Sequence, residues 1–523
     1  MKDKKISSII QRILLSAVLI FLVFYTTLPA INLRDRSFII FLMISIAIIL
    51  FVNFLSYMKV FLEGLNQGGI HGFHGISGAD IARPVKYGLG LIVILAAFYC
   101  VASLAGLKLF NASRYRDLIT INEGSFTEDI SEISMSQIPV VDKDTASRLG
   151  NRKLGEMTEL VSQFEIEEDY TQINYQGAPY RVTPLAYADP IKWLFNMQEG
   201  LPAYITVDMV SQETNLVWLE SGMKYSPSEY FFRNIYRYLR FSYPTKMFDI
   251  VSFEIDDNGT PYWVAPTIAY RVGWWDGKDI SGAVLVNAVT GESQYYPKEE
   301  VPQWIDQLYD SDLIISQLDD NGLFQHGYFN SIFGQKDVRR TTYGYNYLAM
   351  DDDVYLYTGM SSVTADQSNI GFVLVNLRTK DTTFYTVPGA TEYSAMESAQ
   401  GQVQHLQYTA TFPLLLNISN RPTYFISLKD QAGLVKMYAF VDVEQYQIVG
   451  TGTTIDEAKR AYREALNLEE PEAEAAVGSE EMSGTISDIK DVVISGNTFY
   501  YFMLARDDTV YSASITVSEQ LPF

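Results

Sequence analysis

The sequence predicts an α+β membrane protein: three transmembrane helices at the N-terminus, a multi-module ectodomain of antiparallel sheets with packed helices, and a small C-terminal β-module. Three observations predict it. The long apolar runs fall almost wholly before residue 112. The rest of the chain alternates apolar and polar residues between tight-turn signals, and the protein carries 36 tyrosines, a residue that suits half-buried strands. One strand–turn–strand block recurs.

Uncharged runs cover Ile13–Ile31, Phe38–Met58 and Tyr87–Leu107. Each is close to the ~20 residues that cross ~30 Å of hydrocarbon as a helix, and in hydrocarbon only a helix satisfies its own backbone. The first run follows Lys2, Lys4 and Lys5 as a signal peptide would. It is too long for one, however, and no small-residue cleavage site follows. With the N-terminus cytoplasmic, Lys2, Lys4, Lys5, Arg12, Lys59, Arg83 and Lys86 lie inside, while Arg34, Arg36, Lys108, Arg114 and Arg116 lie outside. That positive-inside bias places residues 112–523 outside the cytoplasm.

Composition shifts and turn signals divide the chain into 1–111 (membrane region), 112–220 (membrane-proximal α+β), 221–310, 311–400 and 401–467 (modules carrying the recurrent block), 468–482 (acidic linker) and 483–523 (C-terminal β-module). A helix is expected around Thr145–Gln163. A hairpin is expected across Gln176-Gly177, and a short helix over Asp189–Met197. Ser226-Pro227-Ser228-Glu229 reads as a capped helix start running toward Phe241. Asp257-Asn258-Gly259 marks a further hairpin. In the C-terminal module, turns are expected at Ser495-Gly496 and Asp507-Asp508.

The recurrent block reads GAVLVNAVTGESQYY at 282–296 and GFVLVNLRTKDTTFY at 371–385, with a weaker copy, KMYAFVDVEQYQIVG, at 436–450. Asn287, Asn376 and Asp442 open the turns, since Asn and Asp bond their own main chain two residues on. Thr290, Gly291 and Thr379 complete them. A capping box at Thr454 and Glu457 begins a helix after the third copy. The order helix, Tyr-Pro, hairpin and VLVNAVTGESQYY resembles the PepSY module of bacterial envelope proteins, whose D/N-x-x-T-G-E turn is matched by Asn287, Thr290, Gly291 and Glu292. Lys380 departs from that pattern where Gly is expected. The resemblance implies a helix packed on a small antiparallel sheet, membrane anchoring, and binding or restraint of a partner protein.

Net charge is −23, which repels a phosphate backbone and argues against nucleic-acid partners. The single cysteine, Cys100, excludes an intramolecular disulfide and a cysteine zinc site. His71 and His74 lie three apart in a Gly-rich loop near Asp80. Without a third clear ligand no metal is expected there, and the loop, with Arg83 and Lys86, is a candidate contact for a cytoplasmic partner or lipid headgroups. Arg233, Arg237 and Arg240, at i, i+4 and i+7, are a candidate anion or partner surface on one helix face. Glu165–Asp169 and Asp351–Asp353 read as solvated turns. No G-x-S-x-G, H-E-x-x-H or P-loop occurs. No cofactor is expected, and binding is favoured over catalysis. The leading expectation is a scaffold for an envelope protein partner. The alternative is an accessory subunit of a transport or wall-synthesis complex, docking through its transmembrane helices.

Overall fold

The computed structural model describes residues 2–66, 78–132, 138–350, 352–362, 368–468, 485–494, 497–505 and 510–514. They fall into two compact units, Met1–Leu466 and Asn467–Phe523.

Three helices open the first unit: α1 (Lys2–Thr27), α2 (Arg36–Asn66) and α3 (Gly78–Ala105). Within them Ile9–Thr27, Arg36–Ser56 and Val85–Ala105 are long and apolar enough to cross a membrane. The first span stops four residues before the expected Ile31. Leu28 adopts a left-handed φ of 47°, and Pro29 has no N–H with which to continue the helix. The freed backbone is taken up by the soluble body: Arg240 Nε donates to Leu28 O at 2.9 Å, and Ile31 N donates to Pro244 O at 2.7 Å. The other ends at this side are tied as firmly. The indole N–H groups of Trp274 and Trp275 donate to Leu33 O, Arg36 pairs with Asp276 at 2.6 Å, and Lys108 pairs with Asp320 at 2.6 Å. Gly273, at φ 56°, lies against Gly106, where a side chain at 273 would sit 2.8 Å from Gly106 Cα.

Beyond the spans the first unit carries four sheets. The first holds Phe164–Ile166, Thr171–Tyr175, Ala178–Tyr187, Leu201–Asp208 and Thr214–Met223. The second is a four-stranded meander from Ser252 to Pro297. The third spans Arg339–Ala390 and also takes in Asn122–Gly124, which pairs in parallel with Thr382–Tyr385. The fourth spans Thr409–Gly452. The other strand pairs in these sheets are antiparallel, and one isolated parallel bridge joins Ser226 and Asn234. Apolar cores run between the sheets in a closed cycle. One joins the first, second and fourth sheets (Ile205, Trp263, Phe425), another the second and third (Leu285, Leu356), and another the third and fourth (Phe372, Ile426).

Three of these four sheets contain a turn with the same bonding, and the fourth a longer variant of it. Asp208 Oδ1 accepts from the N–H groups of Val210 and Ser211 at 2.8 and 2.9 Å. Asn287 Oδ1 does so for Val289 and Thr290 at 3.0 and 2.9 Å, and Asn376 Oδ1 for Arg378 and Thr379 at 2.9 Å each. Asp442, in a turn one residue longer, takes only Gln445 N, at 2.7 Å. The hydroxyls of Ser211, Thr290 and Thr379 each accept the N–H two residues on at 3.2 Å. The residue after each Asx is buried: Met209, Ala288, Leu377 and Val443. Its N–H donates to the preceding strand (Pro179, Pro261, Val354 and Pro422 O), and its carbonyl receives a lead-in segment (Val140, Lys224 and Tyr225, Leu308 and Tyr309, or Ala390). Three lead-ins pass directly into helices capped by Asp142, Asp310 and Thr391.

Lys380 occupies the left-handed position, φ 68°, that Gly291 fills in the second sheet. That conformation costs a side chain ~1–2 kcal/mol. The ammonium offsets it by bonding Asp279 Oδ1 at 2.7 Å, Leu118 O at 2.9 Å and Gln317 Oε1 at 3.3 Å, since bonds from a charged group contribute about 1.5–3 kcal/mol each.

Several expectations are corrected. The helix begins at Ile235, capped by Asn234, not at Ser226. Ser226 Oγ does accept Glu229 N at 3.2 Å, but the Glu229 carboxylate is held by Tyr187 Oη at 2.9 Å and Trp193 Nε1 at 2.7 Å, and Phe231 at φ 52° breaks any continuous helix. Asp353 is not a solvated turn residue: it is buried and gripped by Arg378 Nε and Nη2 and by Asn376 Nδ2 at 2.6, 2.7 and 2.8 Å. The capping box at Thr454 and Glu457 forms as expected. In the second unit, Ile486–Ile494, Asn497–Leu504 and Val510–Ser514 make a three-stranded antiparallel sheet. The expected turns at Ser495-Gly496 and Asp507-Asp508 and the bulk of the acidic linker lie outside the described residues.

Asp208→Ala and Asn287→Ala should each lower stability by about 1–2 kcal/mol, the cost of leaving two turn N–H groups without their acceptor. The thermal melting point of each variant in detergent checks this. A melting point unchanged for Asp208→Ala would show that its turn closes without the side chain.

Candidate functional site

The four sheets meet around a cavity of about 580 Å³. Tyr170, Trp263, Tyr347 and Phe412 line it, one from each sheet or its adjoining loops. At its wall stands Arg181, midway along Ala178–Tyr187 and only 5% exposed. Its Nη atoms donate to Tyr170 O at 3.4 Å and Gln172 Oε1 at 3.3 Å, both long bonds, and its Nε has no acceptor among the described residues. No described carboxylate forms an ion pair with it. Burial pushes its pKa down, opposed by Tyr347, Asp142 and Tyr345. A buried cation without a counter-ion costs several kcal/mol, so the fold alone gives no reason to keep one here.

Acids outnumber bases in the rest of the charged lining, where Lys143 pairs with Asp169 at 2.9 Å and Arg148 and Lys429 pair with Asp144 at 3.2 and 3.5 Å. Asp144, Glu167, Asp169 and Asp310 all border the cavity and are more exposed than Arg181. Burial and the nearby Asp169, Glu165 and Glu168 raise the pKa of Glu167, and burial raises that of Asp310. Asp142 is spent on structure: burial works against its charge, but Lys429 at 2.6 Å and Thr145 N at 2.9 Å hold its pKa below the usual range.

Behind this wall lie two buried carboxyls. Glu254 accepts from Asp306 N at 2.9 Å and Gln307 N at 3.2 Å, and Asp306 Oδ2 accepts from Asn174 N at 2.6 Å. They join the first two sheets to the segment leading into the third. Burial raises Glu254 to about 7, and burial together with Glu254 raises Asp306.

Among the described residues, those singled out from sequence lie elsewhere and do not converge. Arg233 sits in a single turn before the helix and donates to Met197 O at 2.6 Å. Arg240 is buried, bonded to Leu28, Pro244 and Lys246 carbonyls. Arg237 lies over the Tyr25 ring, 4.7 Å from its centroid. Carbonyl capping has thus divided the expected basic stripe. Asn287, Thr290, Gly291, Asn376 and Thr379 are turn residues, as described. His71 and His74 lie outside the described residues. Arg83 and Lys86 belong to α3, which starts at Gly78, and not to a loop. His326, isolated in sequence, pairs with Asp337 at 2.8 Å. No group of three metal-ligating side chains occurs among the described residues. Arg181 was missed, although its signal was available: one charge inside APYRVTPLAY, a strand buried on both faces.

No known family matches the chain, and no curated protein does.

Replacing Arg181 by Met should stabilise the unliganded protein by about 1–4 kcal/mol, as removing a buried unpaired charge does. A lower melting point instead would make the arginine a structural strut. The buried acids predict a pH dependence. With folded pKa values above those of the unfolded chain, their stabilisation is complete below about pH 4.5 and is lost as pH rises through about 7. The melting point should therefore fall from pH 5 to pH 8, and Glu254→Gln should flatten that slope.

Proposed function

We propose that this chain is a multi-pass membrane protein with its N-terminus cytoplasmic and residues 112–523 outside, whose PepSY-like modules bind or scaffold a partner in the cell envelope. The observation that carries the binding reading is Arg181, a buried guanidinium with no carboxylate, facing a cavity to which all four sheets contribute. A ligand carboxylate would supply the missing counter-ion. Glu167 and Asp310, which border the cavity and form no ion pair among the described residues, favour a positive group on the same ligand. The chemistry fits a ligand that carries a carboxylate and a nearby ammonium, such as an amino acid or the C-terminal residue of an envelope peptide with a basic side chain. The shared turn bonding supports four copies of one module, adding AYITVDMVSQET at 203–214 to the three copies visible in sequence.

Two measurements on intact cells test this. Protease added to protoplasts should cleave residues after 112. A photo-crosslinking residue at Tyr345, which borders the cavity, should trap an envelope component, and Arg181→Met should abolish the adduct. Protection from protease removes the topology. Adducts indifferent to Arg181 remove the cavity as the binding site.

A further inference from the structure

The soluble body carries an apolar shelf beside the membrane end of α1. The short helix Pro190–Asn196 buries none of its residues and turns Ile191, Leu194 and Phe195 outward, Phe195 being 78% exposed. It is held by Trp193, whose N–H donates to Glu229 and whose ring packs on Tyr230 and Phe231 at 4.7 and 6.0 Å. Phe231 and Phe232 are 63% and 57% exposed, and Phe231 is held at φ 52°, a conformation a bulky residue adopts only at a cost of about 1–3 kcal/mol.

The height of this shelf follows from its neighbours. Phe232 packs edge-on against Tyr25 at 6.3 Å, and Phe241 packs on Tyr25 and Phe24 at 6.4 and 5.8 Å. Tyr25 is two residues from the end of the apolar span at Thr27, ~3 Å along the helix axis. The rings that touch it are therefore level with the boundary between hydrocarbon and headgroups, the depth at which aromatic side chains are favoured. At the same level the Arg237 guanidinium lies over Tyr25. Its Nε is buried without an acceptor, and no described carboxylate forms an ion pair with it.

We infer that this shelf is a lipid-binding surface: Phe195, Phe231 and Phe232 enter the outer edge of the bilayer, and Arg237 takes the phosphate of an anionic phospholipid. The inference needs only that α1 crosses the membrane, so it stands or falls apart from the cavity. Its effect is to hold the soluble body against the bilayer, beyond what the covalent link through the spans requires.

The test uses the full chain in nanodiscs. Cys100→Ser frees a single labelling position, and Phe195→Cys carries an environment-sensitive dye. Lipids with a quencher near the headgroup should extinguish most of its emission, whereas the same dye at Tyr393→Cys, on the helix Glu392–Gln402, should remain bright. Equal emission at the two sites overturns the inserted shelf. Arg237→Gln should raise the amount of phosphatidylglycerol needed for thermal protection roughly fivefold, about 1 kcal/mol per lost cation, and Arg237→Lys should restore it. Unchanged protection in Arg237→Gln overturns the headgroup contact. An unquenched dye together with a protein adduct from a crosslinker at Phe231 would assign the surface to a membrane-protein partner instead.

Discussion

An aspartate or asparagine side chain that bonds its own main chain sets the geometry of every sheet in the large unit. Asp208, Asn287 and Asn376 each hold two N–H groups and Asp442 holds one, so the chain reverses at a defined point. The next residue is thereby turned inward, where its side chain is buried and both its backbone groups are used. Each such bond is worth about 1 kcal/mol, which is small beside the burial it directs. The lead-in segments dock on that one carbonyl, and the direction of the following helix is set there. The cavity lies where the bodies so built meet.

The same economy of backbone groups explains how the membrane region joins the soluble body. A helix that ends at a proline leaves carbonyls without partners. Here Arg240 donates to the Leu28 carbonyl and the two tryptophans to the Leu33 carbonyl, and Arg36 and Lys108 pair with acids of the body. Positive side chains that flank the spans thus become structural links. Arginine suits this work because its guanidinium reaches several carbonyls at once, as Arg240 does.

Two arginines are spent differently. Arg181 is buried and Arg237 half-buried with its Nε enclosed, and neither forms an ion pair with a described carboxylate. A buried one such as Arg181 lowers stability unless something outside the polypeptide compensates it. Arg181 lines the cavity, and Arg237 lies over Tyr25 near the end of the first apolar span.

The sequence by itself determined what is local. Apolar runs of the right length named the spans, because hydrocarbon admits little else, and Asx turns and capping boxes are closed within five residues, so Asn287, Asn376 and Thr454 were legible without a fold. The helix at Ser226 was misjudged because its capping glutamate is claimed by Tyr187 and Trp193, some 40 residues away in the chain. The copy at Asp208 escaped notice because it shares bonding with the others and little spelling. Only the tertiary structure decided which charges are free. Arg233, Arg237 and Arg240 look alike in sequence, yet carbonyls placed by distant segments take two of them, and the cavity around Arg181 exists only where four sheets converge. Burial and pairing depend on what the chain brings near from afar, and no local pattern encodes that.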